Sequence, residues 1–294
     1  MTGPEPPTGF VQSPDGTAIA WWEVTPTVPA AATEAESASR AGRPAVVLVH
    51  GATADHTAFR AVAPLLATRR RVISIDRRGR GASGDQQPYS IEREYEDVAA
   101  VVNELAAETG GRADVVGHSF GGRCGLGAAR LTRCLRRLVV YEGAPAPRGR
   151  AFHDPDLLAR LDALAAAGDL DGVMATFMGR VVGLSRVEVD AYRSSPTWPI
   201  RAAAAPTAIR ELRAEAGRDA GVEGLAEVRI PVLQLVGGAS PTVFAAGTRE
   251  LDALLEQGRV VTLAGQKHAA HHTDPAGFVA AVEAFLDGRA TIDE

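Results

Sequence analysis

The sequence predicts an α/β fold: a mostly parallel sheet of about eight strands with helices on both faces and a helical lid inserted past its middle. The first observation behind this is an alternation along the chain. Short apolar, largely β-branched runs at 46–49, 72–75, 113–116, 138–141, 232–236 and 260–263 are separated by longer amphipathic segments at 90–108, 120–132, 241–257 and 275–287. Runs with at most one polar interruption are strands buried on both faces, and helices between them make the strands parallel. The second is a stretch from 145 to 228 with no strand-like run, in which 156–167 and 186–216 carry Ala, Leu, Arg and Glu at helical spacing. The third is length: 294 residues bury roughly three quarters of the surface exposed by the unfolded chain, enough for one large core. The expected organisation is a first core segment 1–144, a helical cap 145–228 and a second core segment 229–294.

Taken in order, residues 9–24 form two short strands around Pro14-Asp15-Gly16, because Asp-Gly supplies the backbone freedom of a hairpin turn. Residues 25–43 turn to Ala, Pro, Thr, Glu and Ser without apolar periodicity and read as a mobile surface loop. In the cap, Asp154 and Pro155 start the first helix and Gly168 ends it. Pro196, Pro199 and Pro206 divide the second helical stretch into several short helices. In the last helix Phe278, Val279, Val282, Phe285 and Leu286 share one face, with Asp274 as N-cap and Pro275 in the first turn.

Composition narrows the function classes. The chain is 46% hydrophobic and 23% charged, ordinary for a globular protein. A net charge of −5 and a pI near 5.9 leave no basic footprint for nucleic acid. The arginines at 69–71 and 77–80 read as solvated edges of a strand and its following turn. Cys124 and Cys134 form neither a disulfide framework nor a zinc signature and are expected to be buried thiols. The first thirty residues lack the charged start and apolar core of a secretory signal, and no apolar run reaches membrane-spanning length. The expectation is a cytoplasmic enzyme with a small-molecule substrate and neither nucleic acid nor membrane as partner.

The sharpest chemical signal is Gly117-His118-Ser119-Phe120-Gly121-Gly122, directly after an apolar run and before a helix. A tight strand-to-helix turn exposes a hydroxyl on strained backbone and needs small residues on either side. Ser119 is therefore the candidate nucleophile. A serine hydroxyl needs a base within hydrogen-bond reach and donors for a developing oxyanion. His268, in the loop after the last strand and before the last helix, is the candidate base, with His271 and His272 as weaker rivals that are expected to be exposed or to support it. The oxyanion donors are the backbone N–H of Phe120 and that of Ala52, with Thr53 as the alternative, in the loop His50-Gly51-Ala52-Thr53.

These residues carry a resemblance. His50-Gly51-Ala52, Asp76-Arg77-Arg78-Gly79-Arg80-Gly81-Ala82-Ser83, the elbow at Ser119 and the loop from Gly265 to His268 stand in an order that resembles the α/β-hydrolase superfamily over nearly the whole chain. The resemblance implies a serine-nucleophile branch with the cap over the catalytic machinery. It also gives the Asp76 loop a structural role. The chain departs from the family pattern after the seventh strand, where Val236-Gly237-Gly238-Ala239-Ser240-Pro241 lacks the usual Asp. Some relatives carry the acid after the sixth strand, and Glu142 stands there, so Glu142 is the candidate acid that orients His268. A solvated strand-end charge and a Ser-His dyad helped by Ser240 are the other readings of this region.

The leading expectation is hydrolysis of an ester-like carbonyl through an acyl-enzyme on Ser119, with carboxylic ester as the first substrate class and thioester, lactone, activated amide or a diketone carbon–carbon bond behind it. Serine at the elbow argues against the epoxide hydrolases and haloalkane dehalogenases of the superfamily, which use a carboxylate nucleophile. Trp198, Phe177 and Met178 are candidate pocket residues, and no cofactor or metal is implied. A non-catalytic ligand receptor or cyclase-like scaffold is the second reading, supported only by the missing acid. A perhydrolase of the cofactor-free haloperoxidase type is the third.

Overall fold

The computed structural model describes residues 5–26, 42–148, 153, 156–215 and 221–289. The expected mobile loop falls largely outside the described residues, as do Asp154 and Pro155. An eight-stranded sheet runs in the order β1-β2-β4-β3-β5-β6-β7-β8. Its strands are β1 (Gly9–Gln12), β2 (Ala18–Glu23), β3 (Val46–Val49), β4 (Val72–Ile75), β5 (Ala113–His118), β6 (Leu135–Tyr141), β7 (Val232–Gly237) and β8 (Gly258–Leu263). β1 and β2 form the expected antiparallel hairpin, β2 lies antiparallel to β4, and the remaining neighbours are parallel. In the hairpin turn Gly16 adopts φ 84° and Asp15 accepts from Thr17 N at 2.9 Å.

Around the sheet lie α1 (Ala63–Ala67), α2 (Ile91–Thr109), α3 (Phe120–Leu131), α9 (Thr242–Asp252), α10 (Ala270–Thr273) and α11 (Pro275–Leu286). The helices α4 (Leu157–Ala166), α5 (Leu170–Arg180), α6 (Arg186–Arg193), α7 (Trp198–Glu215) and α8 (Val222–Leu225) fall between β6 and β7. No described helix is long and apolar enough to cross a membrane.

Alternation along each strand sends neighbours to opposite faces, which is why β3 feeds two cores. Val47 and Val49 pack with Val115, Tyr95, Val98 and Cys124 beneath α2 and α3. Val46 and Leu48 pack with Val116, Leu66, Phe278 and Val282 beneath α1 and α11. A third core, with Leu157, Leu161, Met174, Trp198 and Leu212, holds α4, α5 and α7 together. The chain passes from β3 outward to β4 and then returns to β5 on the other side of β3. That reversal is a topological switch point, and the carboxyl ends of β3 and β5 diverge there to leave a crevice.

Three expectations need correction. Pro206 does not break the second helical stretch: α7 runs through it, because burial of Ala205, Ala208, Ile209 and Leu212 outweighs the roughly 3 kcal/mol a mid-helix proline costs. Cys124 is buried but Cys134 only half-buried. The arginine clusters are solvated edges only in part: Arg69 is exposed and Arg71 half-buried, but Arg70, Arg77, Arg78 and Arg80 are buried. Each buried one is matched by carboxylates from distant elements. Arg70 meets Glu283 at 2.7 Å and Asp287 at 2.9 Å, and Arg78 meets Asp97 at 2.7 Å and Asp15 at 2.9 Å.

Arg77 and Arg80, in the loop after β4, pair with Glu211 of α7, the Arg80 contact being 2.5 Å, while Glu94 of α2 also holds Arg77 at 2.9 Å. This cluster ties the helices inserted between β6 and β7 to the sheet. Removing one member leaves buried charge uncompensated, which is strongly destabilising. Glu211→Ala is expected to lower unfolding free energy by about 3–5 kcal/mol, read as a fall in the urea midpoint; a midpoint equal to the parent's would show that the cluster does not anchor α7.

Candidate active site

Ser119 joins β5 to α3 with φ 53° and ψ −125°, the left-handed half of the map, where a side chain persists only if its surroundings hold it. Its amide donates to Tyr141 O at 2.8 Å, and its carbonyl accepts from Gly122 N at 2.9 Å and Arg123 N at 3.2 Å. Gly121 is required by close approach: a Cβ there would lie 2.2 Å from Val49 O and 2.4 Å from His50 O. The elbow is thus wedged between the ends of β3 and β6.

Glu142 ends β6, also at positive φ (49°), and both of its carboxylate oxygens are engaged. Oε1 accepts from Gly237 N at 2.7 Å, and Oε2 lies 2.5 Å from His268 Nδ1. The side chain is fully buried, so it is not a solvated strand-end charge. The loop carrying His268 is tied at successive positions. His118 Nε2 donates to His268 O at 2.8 Å, the Tyr141 hydroxyl donates to Lys267 O and accepts from Ala270 N at 3.0 Å, and Phe244 stacks on the His268 ring at 4.7 Å. The hydrogen bond of the His268 ring runs to Glu142, and the imidazole meets Ser119 by sharing one cavity with it.

That cavity has a volume of about 570 Å³, a size suited to a small organic molecule. Ala52, Phe177 and Met178 line it with Ser119 and His268. Trp198 does not: it is buried in the core of α4, α5 and α7, with its indole N–H donating to Asp171 at 2.7 Å and its ring edge-on to Tyr192. A buried indole N–H needs an acceptor, and Asp171 draws it away from the cavity. Phe120 turns its side chain towards the Arg77 guanidinium, 4.7 Å from the ring centroid. Its backbone N–H is the first of α3 and has no intrahelical partner. The loop at Ala52 is held beside the elbow: a Cβ on Gly51 would lie 3.1 Å from Ser119 Cβ. His50 fixes that loop, with Nε2 accepting from Arg77 N at 3.1 Å and Nδ1 donating to Gly51 O at 2.8 Å.

Asp76 is structural, accepting from His56 N at 2.7 Å, His56 Nδ1 at 2.9 Å and Ala82 N at 2.8 Å. His271 is buried rather than exposed and His272 half-buried; both line the cavity. Burial, with the neighbouring histidines second, holds His118 and His271 well below the usual imidazole range. Among the described residues no group of three or more His, Cys, Asp or Glu is placed to hold a metal. Sequence reasoning missed Arg60, Arg201 and Tyr192 in the cavity wall, while Ser240, weighed from the sequence as a helper of His268, does line it. For the two arginines one signal was available: neither has an acidic residue three or four positions away, the spacing at which a helix pairs charges.

Comparison with known proteins bears on this geometry. The chain is 26% identical to the 2-(acetamidomethylene)succinate hydrolase of Mesorhizobium japonicum, over 83% of this chain and 88% of that protein. A 105-residue stretch, 34% of this chain and 37% of that protein, is 43% identical to the 2-hydroxy-6-oxo-2,4-heptadienoate hydrolase of Pseudomonas putida. Among solved structures, an alpha/beta hydrolase from Sphaerobacter thermophilus superposes with a TM-score of 0.75 at 33% identity, covering 95% of this chain and 98% of that one. The sequence model of the alpha/beta hydrolase family matches residues 46–282, which span the elbow, both carboxyl-end loops and the intervening helices, and the chain belongs to that family.

Proposed function

We propose that this protein is a serine hydrolase that cleaves an ester-like carbonyl of a small molecule through an acyl-enzyme on Ser119. One observation carries the reading. Glu142 Oε2 stands 2.5 Å from His268 Nδ1 while Ser119, on strained backbone, faces the same cavity as that imidazole. With Nδ1–H held by the carboxylate, Nε2 is left as the acceptor for the serine proton.

Ser119 Oγ attacks the carbonyl carbon as its proton passes to His268 Nε2, and the carbonyl oxygen becomes an oxyanion held by the Ala52 and Phe120 N–H groups. Collapse breaks the bond to the leaving oxygen, which takes the proton from the imidazolium, whose charge Glu142 offsets. Water then gives its proton to His268 and attacks the acyl carbon; collapse returns that proton to Ser119 and frees the acid. Residues 145–228 act as a cap, with Phe177 and Met178 forming the apolar wall of the acyl pocket. Carboxylic ester is the primary class, and a thioester, lactone, activated amide or carbon–carbon bond would meet the same machinery. Two of the relatives are named as hydrolases of 2-(acetamidomethylene)succinate and of 2-hydroxy-6-oxo-2,4-heptadienoate, which supports a substrate of this size. The receptor reading had only the missing acid to favour it, and Glu142 occupies that function's geometry.

Stoichiometric labelling by a fluorophosphonate, read by intact-protein mass and mapped to Ser119, is the expected result. Protein that stays unlabelled at millimolar reagent would return the chain to the receptor reading.

A further inference from the structure

We propose that the substrate carries a carboxylate, gripped at one end of the cavity by Arg60 and Arg201 beside His271 and His272, an inference that rests on the serine-hydrolase reading of the same site. Arg60 follows the 3-10 turn after β3 and Arg201 belongs to α7, so the two cations reach the cavity from the sheet and from the inserted helices. Both line it.

Arg60 is exposed and Arg201 half-buried, and what sets them apart within the cavity wall is that no carboxylate among the described residues meets their charge. The buried arginines at 70, 77, 78 and 80 are each matched by carboxylates, and the third cation in the wall, Lys267, pairs with Glu188 at 2.7 Å. Neither Arg60 nor Arg201 has a carboxylate partner among the described residues. Arg201 instead has its Cζ 5.8 Å from the Tyr192 ring centroid, a contact that leaves its charge unneutralised.

Both charges are felt at one place. His272 is pushed down to about 4, by burial first and then by Arg60 and Arg201, and the same two arginines act on His271. His271 is 2% exposed and lines the cavity. Two guanidinium forks in one cavity wall match a planar, two-oxygen anion. The apolar side of the cavity, at Phe177, Met178 and Val182, is left for the hydrocarbon part of the same molecule.

The test compares 4-nitrophenyl hydrogen glutarate with its neutral isostere, in which an amide replaces the free carboxylate. The parent enzyme is expected to favour the acid by about tenfold or more in kcat/KM, mainly through KM, since hydrogen bonds to a charged group are worth at least that. The preference should collapse in the Arg60→Gln/Arg201→Gln double variant and fall in Arg201→Gln alone. An acid-to-amide ratio at or below one in the parent, or a ratio that a folded double variant leaves intact, overturns the inference. Calorimetric titration of Ser119→Ala with glutarate and with glutaramide makes the same comparison without turnover; tighter binding of glutarate is expected, and equal or undetectable binding of both counts against the carboxylate. Fluorophosphonate labelling run in parallel separates the two readings: a labelled enzyme without acid preference overturns only this inference, and an unlabelled one overturns the serine mechanism itself.

Discussion

Ser119→Ala is expected to lower kcat on an activated ester by about a million-fold while leaving the unfolding curve unchanged. The chemistry depends on one oxygen, and the substitution deletes that oxygen alone. Alanine keeps the Cβ, so the strained turn at φ 53° stays in the same part of the map, and the backbone bonds that pin the elbow to Tyr141, Gly122 and Arg123 are untouched. What remains is binding and the oxyanion donors, which retain modest acceleration over water without a nucleophile. Steady-state turnover with circular dichroism as the folding control decides the matter. A folded Ser119→Ala enzyme that turns over within about tenfold of the parent would remove Ser119 from the mechanism and leave the cavity without a nucleophile.

Glu142→Gln is expected to cost about four orders of magnitude in kcat, and the physical reason is a tautomer. Gly237 N–H donates to Oε1 at 2.7 Å, so a glutamine must present its carbonyl oxygen there. Its amide nitrogen then occupies the place of Oε2, against His268 Nδ1. An N–H facing Nδ1 makes that nitrogen an acceptor and drives the ring proton to Nε2, where Ser119 requires an empty lone pair. The neutral side chain also withdraws the charge that stabilises the imidazolium. Because glutamine is isosteric and keeps the bond to Gly237, loss of turnover would not be loss of fold. Near-normal kcat would defeat Glu142 as the acid while leaving Ser119 in place, and would favour a dyad assisted by Ser240, which lines the cavity and whose hydroxyl has no hydrogen-bond partner among the described residues.

Much of the sheet was legible because its signals are local. The runs at 46–49 and 72–75 match β3 and β4 residue for residue, and the Asp-Gly hairpin and the cap of α11 by Asp274, whose side chain accepts from Gly277 N at 3.0 Å, are set within a few neighbouring residues. The helices 170–180 and 270–273 were not anticipated as elements. In 170–180 the signal was present, since Leu170, Val173, Met174, Phe177 and Met178 recur at helical spacing, whereas 270–273 is a single turn, too short to show a period.

The elbow at Ser119 was written in the chain itself, since glycines that permit close backbone approach must flank a hydroxyl forced to positive φ, and so was the placement of His268 beyond the last strand. The partnership of Glu142 with His268 spans 126 positions and was inferred from a gap after the seventh strand; only the folded sheet brings those two loop ends within hydrogen-bond reach. Tertiary structure alone settled which arginines are buried and which face the cavity. A buried guanidinium requires a carboxylate, and the carboxylates that hydrogen-bond Arg70 lie more than 200 positions away. Nothing local in the chain separates such an arginine from Arg60 or Arg201, whose charges meet no carboxylate among the described residues, because what decides burial is the sum of contacts made across the sheet.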